Sequence, residues 1–163
     1  ICVKGPTLML GYIGTPLAET LDGEGFFPTG DAGYLDGAGR LYWQGRLTDI
    51  IKTGGANVSP REVDEVLAQY SGVKVAATVG VPHPTLGEVV VACIVLHDGV
   101  PPDAEGLRAF VRKRLASYKI PRHVLFFGAD EVALTGNAKI KSGQLRELAA
   151  KRLAGRLATR NAR

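Results

Sequence analysis

Three short segments of this chain combine residue types that could do chemistry together. The longest runs Gly45-Arg46-Leu47-Thr48-Asp49-Ile50-Ile51-Lys52-Thr53-Gly54-Gly55-Ala56, and Ser59-Pro60-Arg61-Glu62 follows it closely. Cationic side chains beside a glycine loop suit a site where a phosphate-bearing ligand approaches the backbone. Arg46 offers a planar fork that matches phosphate or ribose oxygens, although its ordinary role would be a surface ion pair. Lys52 opens the loop. Gly54 and Gly55 would let a thin ligand chain run along the backbone, or would only meet a tight turn's need for φ > 0; a Gly-Gly pair does not separate the two.

The second segment is Thr29-Gly30-Asp31, just after Phe26-Phe27. One carboxylate on a turn can accept both hydroxyls of a ribose diol, but Gly-Asp turns are also common for no such reason. Thr135-Gly136-Asn137-Ala138-Lys139-Ile140-Lys141 is the third. A lysine on a polar turn ahead of a helix can swing a compact positive charge into a neighbouring cleft. There it would stabilise the negative charge that grows when a carboxylate attacks an α-phosphate. The ordinary alternative is a solvated lysine.

The bulk properties limit what these segments can belong to. At 163 residues, 45% hydrophobic and 22% charged, the chain can bury one ordinary core, or one domain plus part of another. It begins with Ile1 and its only methionine is Met9, so a fragment is expected. The apolar run Val89 to Leu96 is far short of the roughly 20 residues of a membrane span. The net charge of +4 is a property of the tail: residues 146–163 hold six basic side chains and one acid, which leaves the remainder slightly negative. Such a tail reads as a solvated helix face, so no nucleic-acid partner is expected. Cys2 and Cys93 lie far apart, and His83, His97 and His123 are scattered. No metal site is therefore expected in the chain, and reduced thiols without an export signal point to the cytoplasm.

The elements that must position the three segments follow from patterning. Residues 1–47 read as short strands and turns, with a hairpin signal at Leu35-Asp36-Gly37-Ala38-Gly39-Arg40. Beyond residue 48 helices and strands alternate. Ser59 and Glu62 have capping-box spacing and Pro60 fits the first helical position, with Val63, Val66, Leu67 and Tyr70 at helical spacing after them. Val73–Val81, Val89–Leu96 and His123–Phe127 read as three core strands. Asp103 would cap a helix with Leu107, Phe110, Val111 and Leu115 on its apolar face, and a last helix carries Leu145, Leu148, Ala149 and Leu153. The expected fold class is α+β: a small C-terminal domain over 48–163 with a three-stranded central sheet flanked by helices. A strand-rich remnant of a larger domain would precede it over 1–47.

Taken in order, these motifs resemble the final third of the AMP-forming acyl-CoA synthetases, within the adenylate-forming superfamily that includes the luciferases and the nonribosomal peptide adenylation domains. Gly11-Tyr12 with Pro16, Phe27-Pro28-Thr29-Gly30-Asp31, Gly45-Arg46, Lys52 to Gly55, Gly80-Val81-Pro82 with Gly87-Glu88, Tyr118-Lys119-Ile120-Pro121 and Lys139 carry the likeness. The resemblance implies that Asp31 and Arg46 hold the nucleotide. It implies that Lys52, Gly54 and Gly55 enter the active site for thioester formation, and that Lys139 serves adenylation. The hinge position is Thr48, followed by Asp49, where the family usually has aspartate or lysine; Ala138 replaces the usual glycine before the lysine. ATP/AMP and CoA are the implied cofactors, with Mg expected on ATP and liganded outside this chain.

The implied partners are a missing N-terminal adenylating domain and a small-molecule carboxylic acid. Nothing in the chain resembles the family's phosphate loop or acyl pocket, so the chain alone is expected to be inactive. An adenylation domain that loads a carrier protein, and a non-catalytic binding module of the same fold, are the alternatives.

Overall fold

The structure, a computed structural model, describes residues 1–132 and 142–161, with the side chains of the last helix as far as Gly155. The backbone divides into two compact units, Ile1–Thr48 and a second that begins at Asp49.

In the first unit Cys2–Val3 (β1) pairs antiparallel with Phe27–Pro28 (β2), and one helical turn at Leu17–Thr20 (α1) intervenes in sequence. Asp31–Leu35 (β3) and Leu41–Arg46 (β4) form an antiparallel hairpin. Its turn is built by Asp36, whose Oδ1 accepts the amides of Ala38 and Arg40, each at 2.9 Å. These bonds to the charged form hold the Asp36 carboxyl below its usual range. Tyr34 and Tyr42 stack across the hairpin with centroids 5.1 Å apart. Both are exposed, as are Leu35 and Leu41.

The second unit is an α+β layer with a five-stranded sheet. Ile51–Thr53 (β5) and Ala56–Val58 (β6) form a hairpin, followed at once by helix Pro60–Leu67 (α2). Val73–His83 (β7) and Gly87–Leu96 (β8) are the long antiparallel pair. Helix Ala104–Arg112 (α3) and a 3-10 turn at Ser117–Lys119 cross over to His123–Phe126 (β9), which runs parallel to β8. A parallel neighbour needs such a crossover. Helix Ser142–Asn161 (α4) closes the described chain.

Strand alternation explains why β8 is a continuous apolar run. Val89, Val91, Cys93 and Val95 belong to one buried cluster with Leu145 and Ala149 of α4. Val90, Ala92 and Ile94 belong to the other, with Val63 and Leu67 of α2 and Leu107 and Val111 of α3. Side chains alternate across a sheet, so a strand covered on both faces cannot show a polar period.

Three expectations need correction. The sheet has five strands rather than three, because the β5–β6 hairpin joins the edge of β8 at Thr53 and Gly87. Ser59 is the N-cap of α2 and Pro60 sits in its first turn, but the capping box does not form. Glu62 instead takes Lys119, whose Nζ donates to both carboxylate oxygens at 2.6 Å; a full ammonium outcompetes a single backbone amide for that carboxylate. Finally, the basic tail is not simply a solvated face. Arg152 donates to the Phe126 carbonyl at 2.6 Å, pairs with Glu131 and lies 4.1 Å from the centre of the Phe127 ring. Among the described residues, no helix is long and apolar enough to cross a membrane.

Candidate functional site

In the first unit the β3–β4 register sets Asp31 opposite Arg46. Arg46 Nε lies 3.2 Å from Asp31 Oδ1, and Arg46 also donates to the Thr29 carbonyl at 2.6 Å. Thr29 Oγ1 accepts the Asp31 amide at 3.1 Å, which shapes the turn that presents the carboxylate. Gly30, at φ +74, would bring a Cβ to 3.6 Å from Arg46. The fold thus brings together two residues 15 apart in sequence. Their ion pair is solvent-exposed and worth about 0–1 kcal/mol, so a ligand that offers hydroxyls to one and phosphate to the other replaces it at little cost.

The second unit carries the hairpin. Thr53 pairs with Ala56, and the two residues between them, Gly54 and Gly55, have φ of +55 and +84. Two left-handed residues in a two-residue loop are the requirement of a type I′ turn, whose twist matches the flanking strands. The Gly-Gly pair therefore has a structural reason to exist. It also leaves the tip bare: a Cβ at Gly55 would meet nothing within 4 Å, and one at Gly54 would touch only Leu86 at 3.4 Å. Lys52 is exposed on β5, and its backbone amide donates to Glu88 Oε2 at 2.9 Å.

Beside the hairpin opens a cavity of about 570 Å³, lined by Thr53, Gly54 and Tyr118 together with Arg108, Arg112 and Arg122. Leu86, Val89, Val90 and Ile120 make the rest of the wall largely apolar, so the cavity suits a slender ligand with an anionic group. These arginines were not singled out from sequence. Arg108 and Arg112 carry only the signature of a helix's polar face, and only the crossover brings them to the hairpin. The Glu62–Lys119 pair ties the turn that bears Tyr118 to the start of α2, across 57 positions of sequence.

Thr48 and Asp49 stand where the two units meet in sequence. Asp49 Oδ1 accepts from Ser142 Oγ at 3.3 Å, which ties it to the first residue of α4. Lys139 lies outside the described residues.

The half-buried Asp64, with one carboxylate oxygen fully buried, and the buried Cys93 are of a different kind. Burial pushes the Asp64 carboxyl of α2 up to about 7, and neighbouring Thr78 offsets this only weakly because its hydroxyl does not reach normal hydrogen-bond geometry. Asp64 Oδ1 and Thr78 Oγ1 are both buried without a hydrogen-bond partner. Burial, aided by the Asp64 charge, pushes the Cys93 thiol up to about 12. A thiol so raised is inert as a nucleophile.

Residues 62–139 match the AMP-binding enzyme C-terminal domain family. Among curated proteins, a feruloyl-CoA synthase from an Amycolatopsis species is 43% identical over 148 residues, covering 90% of this chain and 30% of that protein. A 2-succinylbenzoate–CoA ligase from Geobacillus kaustophilus is 42% identical over 150 residues, covering 91% of this chain and 30% of its own length. Among solved structures, an o-succinylbenzoate CoA synthetase from Bacillus subtilis, in complex with its acyl-adenylate intermediate, aligns with a TM-score of 0.80 at 36% identity. That alignment covers 89% of this chain and 29% of the solved one. The chain spans about 30% of the length of the curated relatives it matches.

Proposed function

Because this chain belongs to the AMP-binding, adenylate-forming enzymes and carries their C-terminal portion, we propose that it is part of an acid–CoA ligase. In the first half-reaction a carboxylate oxygen attacks the α-phosphorus of ATP, forming an acyl-adenylate and expelling pyrophosphate. In the second the CoA thiol, losing its proton, attacks the acyl carbon, forming a thioester and releasing AMP. The observation that supports this reading best is the likeness, along nine-tenths of the chain, to proteins named as CoA synthases and ligases.

The residues divide between the two steps. Asp31 accepts the ribose hydroxyls, and Arg46 forks onto nucleotide oxygens once its weak pairing with Asp31 is exchanged for the ligand. Lys139 supplies the ammonium that offsets negative charge growing on the α-phosphate. The Lys52–Gly55 hairpin, narrow at its tip and flanked by guanidinium groups, guides the arm of CoA toward the adenylate. Turning about Thr48 and Asp49 brings one segment or the other into use, so one small domain serves both steps.

ATP brings Mg²⁺ in such reactions. Among the described residues no group of three or more His, Cys, Asp or Glu side chains is placed to hold a metal ion. The further partners are an N-terminal adenylating domain and a small carboxylic acid. The exposed Tyr34, Leu35, Leu41 and Tyr42 of the first unit give an apolar face of the kind a larger domain covers.

The test is ATP–pyrophosphate exchange in the whole enzyme. Exchange dependent on a carboxylic acid is expected, and Lys139→Ala should abolish it while leaving thioester formation from a supplied acyl-adenylate. Undiminished exchange in that variant would reject the role given to Lys139. A carrier protein that replaces free CoA as the better acceptor would reject the CoA assignment.

A further inference from the structure

Resting on the reading that the Lys52–Gly55 hairpin serves thioester formation, we propose that Glu88 is a positioning residue for that hairpin. It fixes the backbone of Lys52 to the central strand and, through Arg146, links it to the second turn of α4.

Few backbone bonds join β5 to the central strand. The strand has three residues and meets β8 at one register position, Thr53 with Gly87. An isolated two-stranded hairpin is marginal in water, so its attachments decide how firmly it is aimed. Two are present. The Gly54 amide donates to the Leu86 carbonyl at 2.9 Å, and the Lys52 amide donates to Glu88 Oε2 at 2.9 Å. The second has an ionised acceptor, which makes it roughly twice as strong as a neutral bond.

The surroundings are shaped to admit that carboxylate. Gly80 lies inside the eleven-residue strand β7, where glycine weakens a sheet unless something must approach closely. Something does: a Cβ there would stand 2.7 Å from Glu88 Oε1 and 2.8 Å from its Cδ. Gly87, at φ +76, would carry a Cβ 3.3 Å from the Lys52 carbonyl. Two glycines thus clear the space in which Glu88 meets the backbone of Lys52.

The other carboxylate oxygen, Oε1, lies 3.9 Å from Arg146 on α4. One turn earlier on the same helix, Ser142 donates to Asp49. The start of α4, three residues after Lys139 in sequence, is therefore tied both to Asp49 and to the residue that holds Lys52. The two links differ in weight. A 2.9 Å charge-assisted bond outweighs a partly exposed ion pair at 3.9 Å. Loss of Glu88 should therefore act on the hairpin first.

Hydrogen exchange on the 163-residue chain, read at the Lys52 amide, tests the anchoring directly. Glu88→Ala should speed exchange there by about tenfold or more, whereas Glu88→Gln, which keeps an acceptor oxygen, should stay within about threefold. Gly80→Ala leaves Glu88 in place but displaces its carboxylate, and should match Glu88→Ala. In the whole enzyme, Glu88→Ala should slow thioester formation from a supplied acyl-adenylate by about tenfold. Adenylate formation should change little, and Glu88→Gln should restore the lost step. Unchanged exchange at Lys52 in both Glu88→Ala and Gly80→Ala would overturn the proposal. Faster exchange with both half-reactions unaltered would uphold the anchoring and reject the assignment of the hairpin to thioester formation.

Discussion

Replacing Asp64 with asparagine should stabilise the second unit at neutral and alkaline pH, and by an amount that depends on pH in a defined direction. The Asp64 carboxyl is raised from its ordinary 3.8 to about 7, chiefly by burial. Between those two values the folded chain holds a proton that the unfolded chain has released. Stability therefore falls as pH rises through that window and levels off above 7. At about 1.4 kcal/mol for each tenfold change, the full cost by pH 8 is up to about 4 kcal/mol. Water that reaches the half-buried side chain reduces this, so about 2–4 kcal/mol is the expected range. Asparagine never ionises, and its amide adds a donor beside Thr78 Oγ1, which has no partner in the parent. Urea unfolding at pH 4, 6 and 8, followed by circular dichroism, should show parent and variant close together at pH 4. They should then separate steadily, with the variant more stable at pH 8. All other carboxylates act alike in both proteins and cancel in the difference. Parallel pH profiles, or a variant less stable at pH 8, would refute the reasoning.

Gly54→Asn should leave the hairpin intact, because Asn-Gly suits a type I′ turn and the new Cβ meets only Leu86 at 3.4 Å. The melting temperature should hold while thioester formation slows; an unchanged rate would show that no ligand passes close to this backbone. Arg152→Ala should cost about 1–3 kcal/mol, through the lost bond to the Phe126 carbonyl and the lost stacking on Phe127. Arg152→Lys should recover only part of this in thermal unfolding, because an ammonium cannot both stack and fork.

Local rules carried much of the fold. Asp103 caps α3 as its type and place suggest, its side chain accepting the Gly106 amide at 2.8 Å. The turn at Asp36 to Arg40 forms where the glycines and the aspartate stand. The faces of α2, α3 and α4 turn inward along their apolar stripes, with Val63, Leu107 and Leu145 buried. Each of these depends on neighbours within a turn or two, so the pattern is written in consecutive residues.

The site was legible only in part. Asp31, Arg46 and the Gly54-Gly55 loop stand out by type and spacing alone. That Asp31 faces Arg46 comes from the register of one hairpin, and that both glycines lie at positive φ comes from the loop length between Thr53 and Ala56. Sequence by itself determined the helices, the long core strands and the buried stripes, and it marked the residues whose types suit a nucleotide, because period, turn chemistry and side-chain type are local properties. Only tertiary structure decided that Glu62 serves Lys119 rather than its own helix cap, that Glu88 meets the Lys52 amide, and that three arginines line one cavity. Those outcomes are competitions among partners 36 or 57 positions apart, and a charged group takes whichever partner the folded chain brings within reach.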